Sequence, residues 1–245
     1  MSNSEQTKLN AVVVGASGGI GGALLSALER DDTYGQVFAL ARSAKGRSDS
    51  PSRWIECDIL DESSIEQAFE TVADSGPLGL VIVATGILHS ANYMPEKRFA
   101  DLSLETLQQV MNINAAGPAL VAKHCLPLMA SDRRNVFAAL SARVGSIGDN
   151  RLGGWYAYRA SKAALNMLLK TLSIEQARLN DETIIAGLHP GTVDTPLSKP
   201  FQRRVPDDEL FPAEFAAGKL LSVLAGLKSE DSGKVYAWDG KPVPY

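Results

Sequence analysis

Residues 11–28 read AVVVGASGGIGGALLSAL. A β-branched apolar run at 11–15 ends on Gly15, and a helix-length segment at 19–29 opens inside the glycine cluster. Glycine has no Cβ, so main-chain N–H groups in such a turn can approach a phosphate. The helix N-terminus adds about half a positive charge at the same place. The spacing is not GxGxxG, because Gly15 and Gly19 are four apart. The strand–turn–helix context carries the reading, with a plain tight turn as the simpler alternative. A nucleotide seated there would meet the turn at Gly15, Ser17, Gly19 and Gly21.

The same alternation continues along the chain. Apolar runs at 36–41 (QVFALA), 53–57 (RWIEC), 80–85 (LVIVAT), 136–141 (VFAALS), 183–188 (TIIAGL) and 234–238 (KVYAW) read as strands. The early and central ones are continuous rather than alternating, which suits strands covered on both faces. Helix-length patterns lie between them at 63–73, 104–130, 157–179 and 212–227. This order implies an α/β fold: a doubly wound parallel sheet of about seven strands, helices on both faces, and one domain over residues 1–245. Residues 44–51 read as a surface loop. The segment 196–212 holds four prolines and no required strand, and a connection of that length reads as a lid over a substrate site.

Composition narrows the function classes. The chain has 245 residues, with 24 Lys+Arg against 28 Asp+Glu, a net charge of −4. That balance gives no electrostatic reason to hold nucleic acid or an anionic membrane. Hydrophobic residues at 45% and charged residues at 21% are those of a globular domain rather than a disordered chain. Cys57 and Cys125 are too few for a disulfide framework or a cysteine-rich zinc site. His89, His124 and His189 lie far apart, so no metal site is expected. The first ten residues, MSNSEQTKLN, have no apolar stretch, and no run approaches the ~20 residues of a membrane span. A soluble, cytoplasmic protein is the expectation.

The second strand run ends Ala39-Leu40-Ala41-Arg42-Ser43, without a carboxylate. An acidic residue there would hold the ribose 2′-hydroxyl of NAD. Arg42 instead offers a guanidinium fork suited to a 2′-phosphate, so NADP(H) is expected ahead of NAD. Asp58, after the third run, is positioned either to accept from an adenine amine or to close a turn before residues 61–64.

Tyr158-Arg-Ala-Ser-Lys162 places a phenol and an amine at i and i+4, on one face of a helix. A nearby ammonium favours the phenolate and lowers the phenol's pKa, giving a general acid for a carbonyl oxygen. Tyr93-Met-Pro-Glu-Lys97 has the same spacing, but Pro95 lies inside it and disfavours a helix. Tyr158 is therefore the candidate.

The glycine turn and Tyr158-xxx-Lys162, about 140 residues apart, together resemble the short-chain dehydrogenase/reductase family, whose domain is of the Rossmann type. Asn114-Ala-Ala-Gly117 resembles the family's helix asparagine motif, and Pro190-Gly-Thr-Val-Asp-Thr195 its PG loop. Residues 145–147 (GSI) and 153–162 (GGWYAYRASK) look most like the branch holding the C-factor and the sniffer-type carbonyl reductases. The resemblance implies hydride transfer between NADP(H) and a small carbonyl or alcohol substrate. It assigns acid/base work to Tyr158, nicotinamide-ribose contact to Lys162, and a water-anchoring relay role to Asn114. It assigns nicotinamide and phosphate contacts to Pro190, Gly191, Thr192, Val193 and Thr195, and pyrophosphate contact to the Ile20 N–H. It also implies a homodimer or homotetramer packed through the helices at 104–130 and 157–179. Pro118 gives the Asn114 role a physical basis. It lacks the N–H that would bond the carbonyl of residue 114, leaving that carbonyl free in mid-helix.

The chain departs from the family in two further places. Val83-Ala-Thr-Gly86 stands where the family has NNAG, keeping Gly86 but losing two asparagines. Ser141-Ala-Arg-Val-Gly145 stands where the family has SSxxG, so alignment puts Ala142 at the substrate-orienting serine. Ser141 and Ser146 are the candidates to replace it, with Ser141 slightly preferred, and a site without any such serine is the third reading. These departures leave room for an alternative function, an NADP(H)-binding regulatory or signalling protein with little catalysis. Trp155, Tyr156, Phe201 and Phe211 are candidates for a pocket wall or lid, and His89 for a ligand contact; His189 reads as structural.

Overall fold

The computed structural model describes residues 7–45 and 50–245; residues 46–49 of the loop expected at 44–51 lie outside them. The chain runs β1 (Asn10–Val14), α1 (Gly19–Leu28), β2 (Val37–Ala41), β3 (Arg53–Glu56), α2 (Glu62–Ala73), β4 (Leu78–Val83), α3 (Leu104–Met111), α4 (Gly117–Cys125) and β5 (Asn135–Leu140). It continues α5 (Tyr156–Leu179), β6 (Thr183–His189), β7 (Thr192–Val193), β8 (Leu210–Phe211), α6 (Ala213–Gly226), β9 (Lys234–Ala237) and β10 (Pro242–Val243).

The main sheet has eight strands in the order β10-β9-β6-β5-β4-β1-β2-β3. All pair in parallel except the antiparallel β9–β10 edge. The eighth strand is the two-residue β10, too short to show as an apolar run. The strands β1, β2, β4 and β5 are buried along their whole length, and their alternation sends side chains to two cores. Val12, Val14, Phe38, Leu40, Val81, Val83 and Phe137 enter one core with Ile65 and Phe69 of α2, Val121 of α4 and Leu165 of α5. Ala11, Val13, Ala39, Leu80, Ile82 and Val136 enter the other with Leu24 and Leu28 of α1 and Leu220 and Leu224 of α6. Continuous apolar strands therefore need helices on both faces.

The chain moves outward from β1 through β2 to β3, then returns to place β4 on the other side of β1. That reversal opens a crevice beyond the carboxyl ends of β1 and β4, where ligands bind in sheets of this kind. The helix expected at 104–130 is broken into α3, a π-helical turn at Asn112–Ala116 and α4. The Gly117 N–H reaches back five residues to the Asn112 carbonyl, and Pro118 follows with no N–H to give. The segment 196–212 contains short 3₁₀ turns at Lys199–Arg204 and Asp207–Glu209, and its end pairs as β8 with β7. Among the described residues, no helix is long and apolar enough to cross a membrane.

Candidate active site

A cleft of about 690 Å³ lies at the crevice. Its lining joins the first turn of α1, the end of β2, the loops after β4, β5 and β6, the start of α5 and the 196–205 segment.

One end suits an anion. Ser17, Gly18, Gly19 and Ile20 line it, and α1 begins at Gly18 with no side-chain cap. The first-turn N–H groups of a helix have no intrahelical partner. Two helices away from the cleft do carry side-chain caps: Asp61 accepts from the Ser63 N–H of α2, and Ser103 from the Thr106 N–H of α3. Gly15 and Gly21 lie behind the lining and shape the turn. Gly15 turns the chain at φ +86°, and a Cβ on Gly21 would collide with the Gly15 carbonyl oxygen. A Cβ on Gly19 would come to 2.6 Å from Thr195 Cγ2, so α1 packs directly on the loop after β7. Arg42 lines the same end and makes no hydrogen bond or ion pair with the described residues. Asp58 is not among the lining residues; its carboxylate accepts the Leu60 N–H at 3.0 Å, and its own N–H donates to Ser64 Oγ.

The other end holds the phenol and the amine. Tyr158 and Lys162 both line the cleft from α5. Lys162 Nζ lies 5.8 Å from the Tyr158 ring centre and donates to the Leu140 carbonyl at 2.7 Å. Burial pushes the Tyr158 phenol up to about 12 and the Lys162 ammonium down to about 8. The i, i+4 spacing led to the opposite expectation for the phenol. The two groups are not directly bonded, so loss of solvation dominates both.

Asn114 is fully buried and ties three elements together. Its Oδ1 accepts the Ile87 N–H at 2.8 Å, and its Nδ2 donates to the Ile87 carbonyl and to Ser161 Oγ. Ser161 Oγ in turn donates to the Tyr158 carbonyl at 2.8 Å. Gly86 packs beside the Asn114 amide and the Lys162 ammonium. The asparagine side chain thus fixes the loop after β4 against α5 from within the π-helical turn.

Ser141 lines the cleft, with its hydroxyl donated to Asn166 Oδ1 at 2.6 Å. Ala142 lines it too, whereas Ser146 does not; Ser146 Oγ accepts the Asp149 N–H. Asn166 was not anticipated. It lies one turn beyond Lys162, and the 158, 162, 166 spacing is the only sequence signal for it. Pro190, Gly191, Thr192, Val193 and Thr195 all line the cleft, as does Thr85, whose buried Oγ1 has no partner among the described residues. His189 also lines it. Burial, then the Arg143 charge, lowers its pKa to about 4, so it stays neutral, and its buried Nδ1 has no partner among the described residues.

A chain of aromatic contacts runs along the lining. Trp155 meets Tyr158 edge-on at 6.2 Å and Phe201 at 5.0 Å, and Phe201 meets His89 at 5.7 Å. His89 Nε2 is 3.2 Å from the Pro196 carbonyl. Phe211 packs instead on Phe215 and Trp238 outside the lining, and Tyr156 is exposed. Tyr93 lies in an irregular loop, outside any helix and away from the cleft lining.

A glycine-lined, uncapped helix end beside Arg42, which has no partner among the described residues, and a phenol–amine pair in the same cleft fit a long dinucleotide with phosphates along its adenosine half and a reactive ring at its far end. Comparisons with known proteins agree with that architecture. The chain is 32% identical over 179 residues to the C-signal protein of Myxococcus xanthus, covering 73% of this chain and 99% of that one. It superposes on the NADPH-bound carbonyl reductase from chicken fatty liver with a TM-score of 0.85 at 26% identity, over 98% and 100% of the two chains. The carbonyl reductase Sniffer of D. melanogaster shares the fold, with a TM-score of 0.83 at 22% identity over 98% and 100%. Residues 9–205 match the short chain dehydrogenase family, and the chain belongs to that family of oxidoreductases.

Proposed function

We propose that the protein is an NADPH-dependent carbonyl reductase, acting reversibly with the alcohol, in which Tyr158 delivers the proton. The observation that carries this reading is the shared cleft: Tyr158 and Lys162 at one end, the uncapped α1 turn and Arg42 at the other. NADPH, when bound, supplies the hydride. Tyr158 holds its proton through neutral pH, because burial raises its pKa, and so is available to a carbonyl oxygen arriving beside it. Lys162 keeps one N–H on the Leu140 carbonyl, which aims the amine along the cleft. Asn114 keeps the loop after β4 and the first turn of α5 at fixed separation. Ser141 is the serine facing the reacting carbonyl in this reading, held by Asn166. Asp58 retains one carboxylate oxygen without a hydrogen bond and is assigned to the adenine side.

Arg42 is assigned to the 2′-phosphate. A charge-assisted, forked bond to phosphate contributes roughly 1.5–3 kcal/mol. Arg42→Ala should therefore raise the dissociation constant for NADPH at least about tenfold. NADH has no such phosphate, and its affinity should stay nearly constant. Fluorescence titration of both cofactors checks this, and an equal loss for both would remove the assignment.

Trp155 and Phe201 support a substrate with a flat apolar flank, since ring pairs contribute about 0.5–1.5 kcal/mol beyond area burial. Phe201→Ala should raise KM for aryl ketones roughly three- to tenfold while leaving small aliphatic aldehydes little changed. Steady-state kinetics on the two substrate classes reads the difference.

One observation favours a second reading, dinucleotide binding without turnover: the Ser141 hydroxyl is already committed to Asn166 and Ser146 is outside the cleft lining. A panel of aldehydes, ketones and quinones with NADPH separates the two. Tight binding with no loss of NADPH absorbance on any of them would select the second.

A further inference from the structure

The entry to α5 is unusual. Gly153, Gly154 and Trp155 all lie in the left-handed region, at φ 63°, 64° and 52°. Glycine adopts it freely, but a residue with a bulky side chain does so rarely. Trp155 occupies the N-cap position and offers no side-chain cap, so the donors of the first turn need a partner from elsewhere. Glu96 provides it, 61 residues earlier in the chain. Its carboxylate Oε2 accepts the Ala157 N–H at 3.2 Å, and its carbonyl accepts the Trp155 N–H at 2.5 Å. Trp155 and Ala157 lie immediately before Tyr158 at the start of α5.

Glu96 is an odd choice for a scaffold. It is only 4% exposed, and its buried Oε1 has no hydrogen-bond partner among the described residues. A buried carboxylate with one idle oxygen is costly. The nearby cations do not compensate it: Lys97 is exposed, and Arg98 pairs with Asp101 at 3.0 Å. Tyr93 faces the same carboxylate, and burial together with that charge raises its phenol above the ordinary value, so no second anion forms there. The Tyr93-xxx-Lys97 segment, a false match to the catalytic spacing, is thus the support of the true one.

We propose that Glu96 is a positioning residue for Tyr158: its two bonds to the first turn of α5 hold the strained entry in place and aim the phenol into the cleft. The proposal rests on the reading of Tyr158 as proton donor. A helix cap that served stability alone would affect melting and leave the chemical step untouched.

The test compares Glu96→Ala and Glu96→Gln with the unaltered protein, alongside Tyr158→Phe. Hydrogen exchange at the Trp155 and Ala157 amides, kcat and KM for an aryl ketone, and the NADPH dissociation constant are measured on each. In E96A the Ala157 amide should exchange faster, the Trp155 N–H keeping its main-chain partner, and kcat should fall about tenfold, with NADPH affinity within about twofold. E96Q keeps an oxygen acceptor for the Ala157 N–H and should restore kcat to within about threefold. Unchanged Ala157 exchange in E96A, or faster exchange with full kcat, would overturn the proposal. So would a loss in both variants that falls equally on kcat and NADPH affinity. Turnover surviving in Y158F would reject the proton-donor reading itself, while the amide exchange would still report whether Glu96 holds the turn.

Discussion

Tyr158→Phe is expected to lower kcat for carbonyl reduction by roughly 10²–10⁴, the usual contribution of a positioned general acid. The substitution removes one oxygen from a half-buried ring that keeps its contacts with Trp155. Folding and NADPH affinity should therefore change little. The Ser161 bond to position 158 is made by the main-chain carbonyl and survives. The neighbouring electrostatics give the loss its direction. Burial raises the phenol to about 12 and lowers Lys162 to about 8, so at neutral pH the phenol is the protonated donor and the amine still carries its charge in most molecules. In the oxidative direction the same phenol must give up its proton, and that direction should gain from higher pH. Rapid-mixing measurement of NADPH absorbance with saturating substrate checks the chemical step. Retention of more than about a tenth of kcat would remove Tyr158 from the mechanism.

The second large effect is expected at the opposite end of the cleft. A Cβ at Gly21 would run into the Gly15 carbonyl oxygen, its carbon and Ala16 Cα. These are main-chain atoms of the turn itself, so no flexible side chain can move aside. Gly21→Ala must open the β1–α1 turn. Overpacking of this sort costs about 1–3 kcal/mol, a drop of about 3–10 °C in Tm for a chain of this size. The same displacement moves the Ser17–Ile20 main chain that lines the anion end. NADPH affinity should fall at least about tenfold. Gly22→Ala is the control, because a Cβ there would meet only the Ala16 carbonyl oxygen at 3.4 Å. Calorimetry and fluorescence titration on the pair check both effects. Equal behaviour of the two variants would show that the turn tolerates displacement and that the glycine cluster is not a close-packed phosphate cradle.

The sheet was legible because its strands are buried on both faces. The stretches 11–15, 80–84 and 136–140 contain no polar side chain, and two-sided burial requires helices above and below. The break after Met111 was foreshadowed by Pro118, but its form was not. A missing N–H predicts a free carbonyl; it does not predict the π-helical turn in which the Gly117 N–H closes onto the Asn112 carbonyl. The strand β10 escaped because two residues, Pro242 and Val243, carry no period; pairing with Val235 and Tyr236 defines it.

The site was legible where its residues are close in sequence or share a helix face. Tyr158 and Lys162 announce themselves by spacing. Asn166 continues that face, but its bond to Ser141 joins positions 25 apart, and no local pattern encodes it. The Glu96 support for Ala157 spans 61 residues and sat inside a segment set aside for its proline. Desolvation is likewise a property of the assembled cleft, which is why the spacing alone led to the wrong direction for the Tyr158 pKa.

A crystal structure with NADPH bound tests the central claim most directly. The account predicts the pyrophosphate against the Ser17–Ile20 main chain, the 2′-phosphate at Arg42, and the nicotinamide ring facing the Tyr158 hydroxyl. There should be room for a carbonyl within about 3–3.5 Å of both. A nicotinamide ring lying elsewhere, or a Tyr158 hydroxyl turned away from it, would contradict the account.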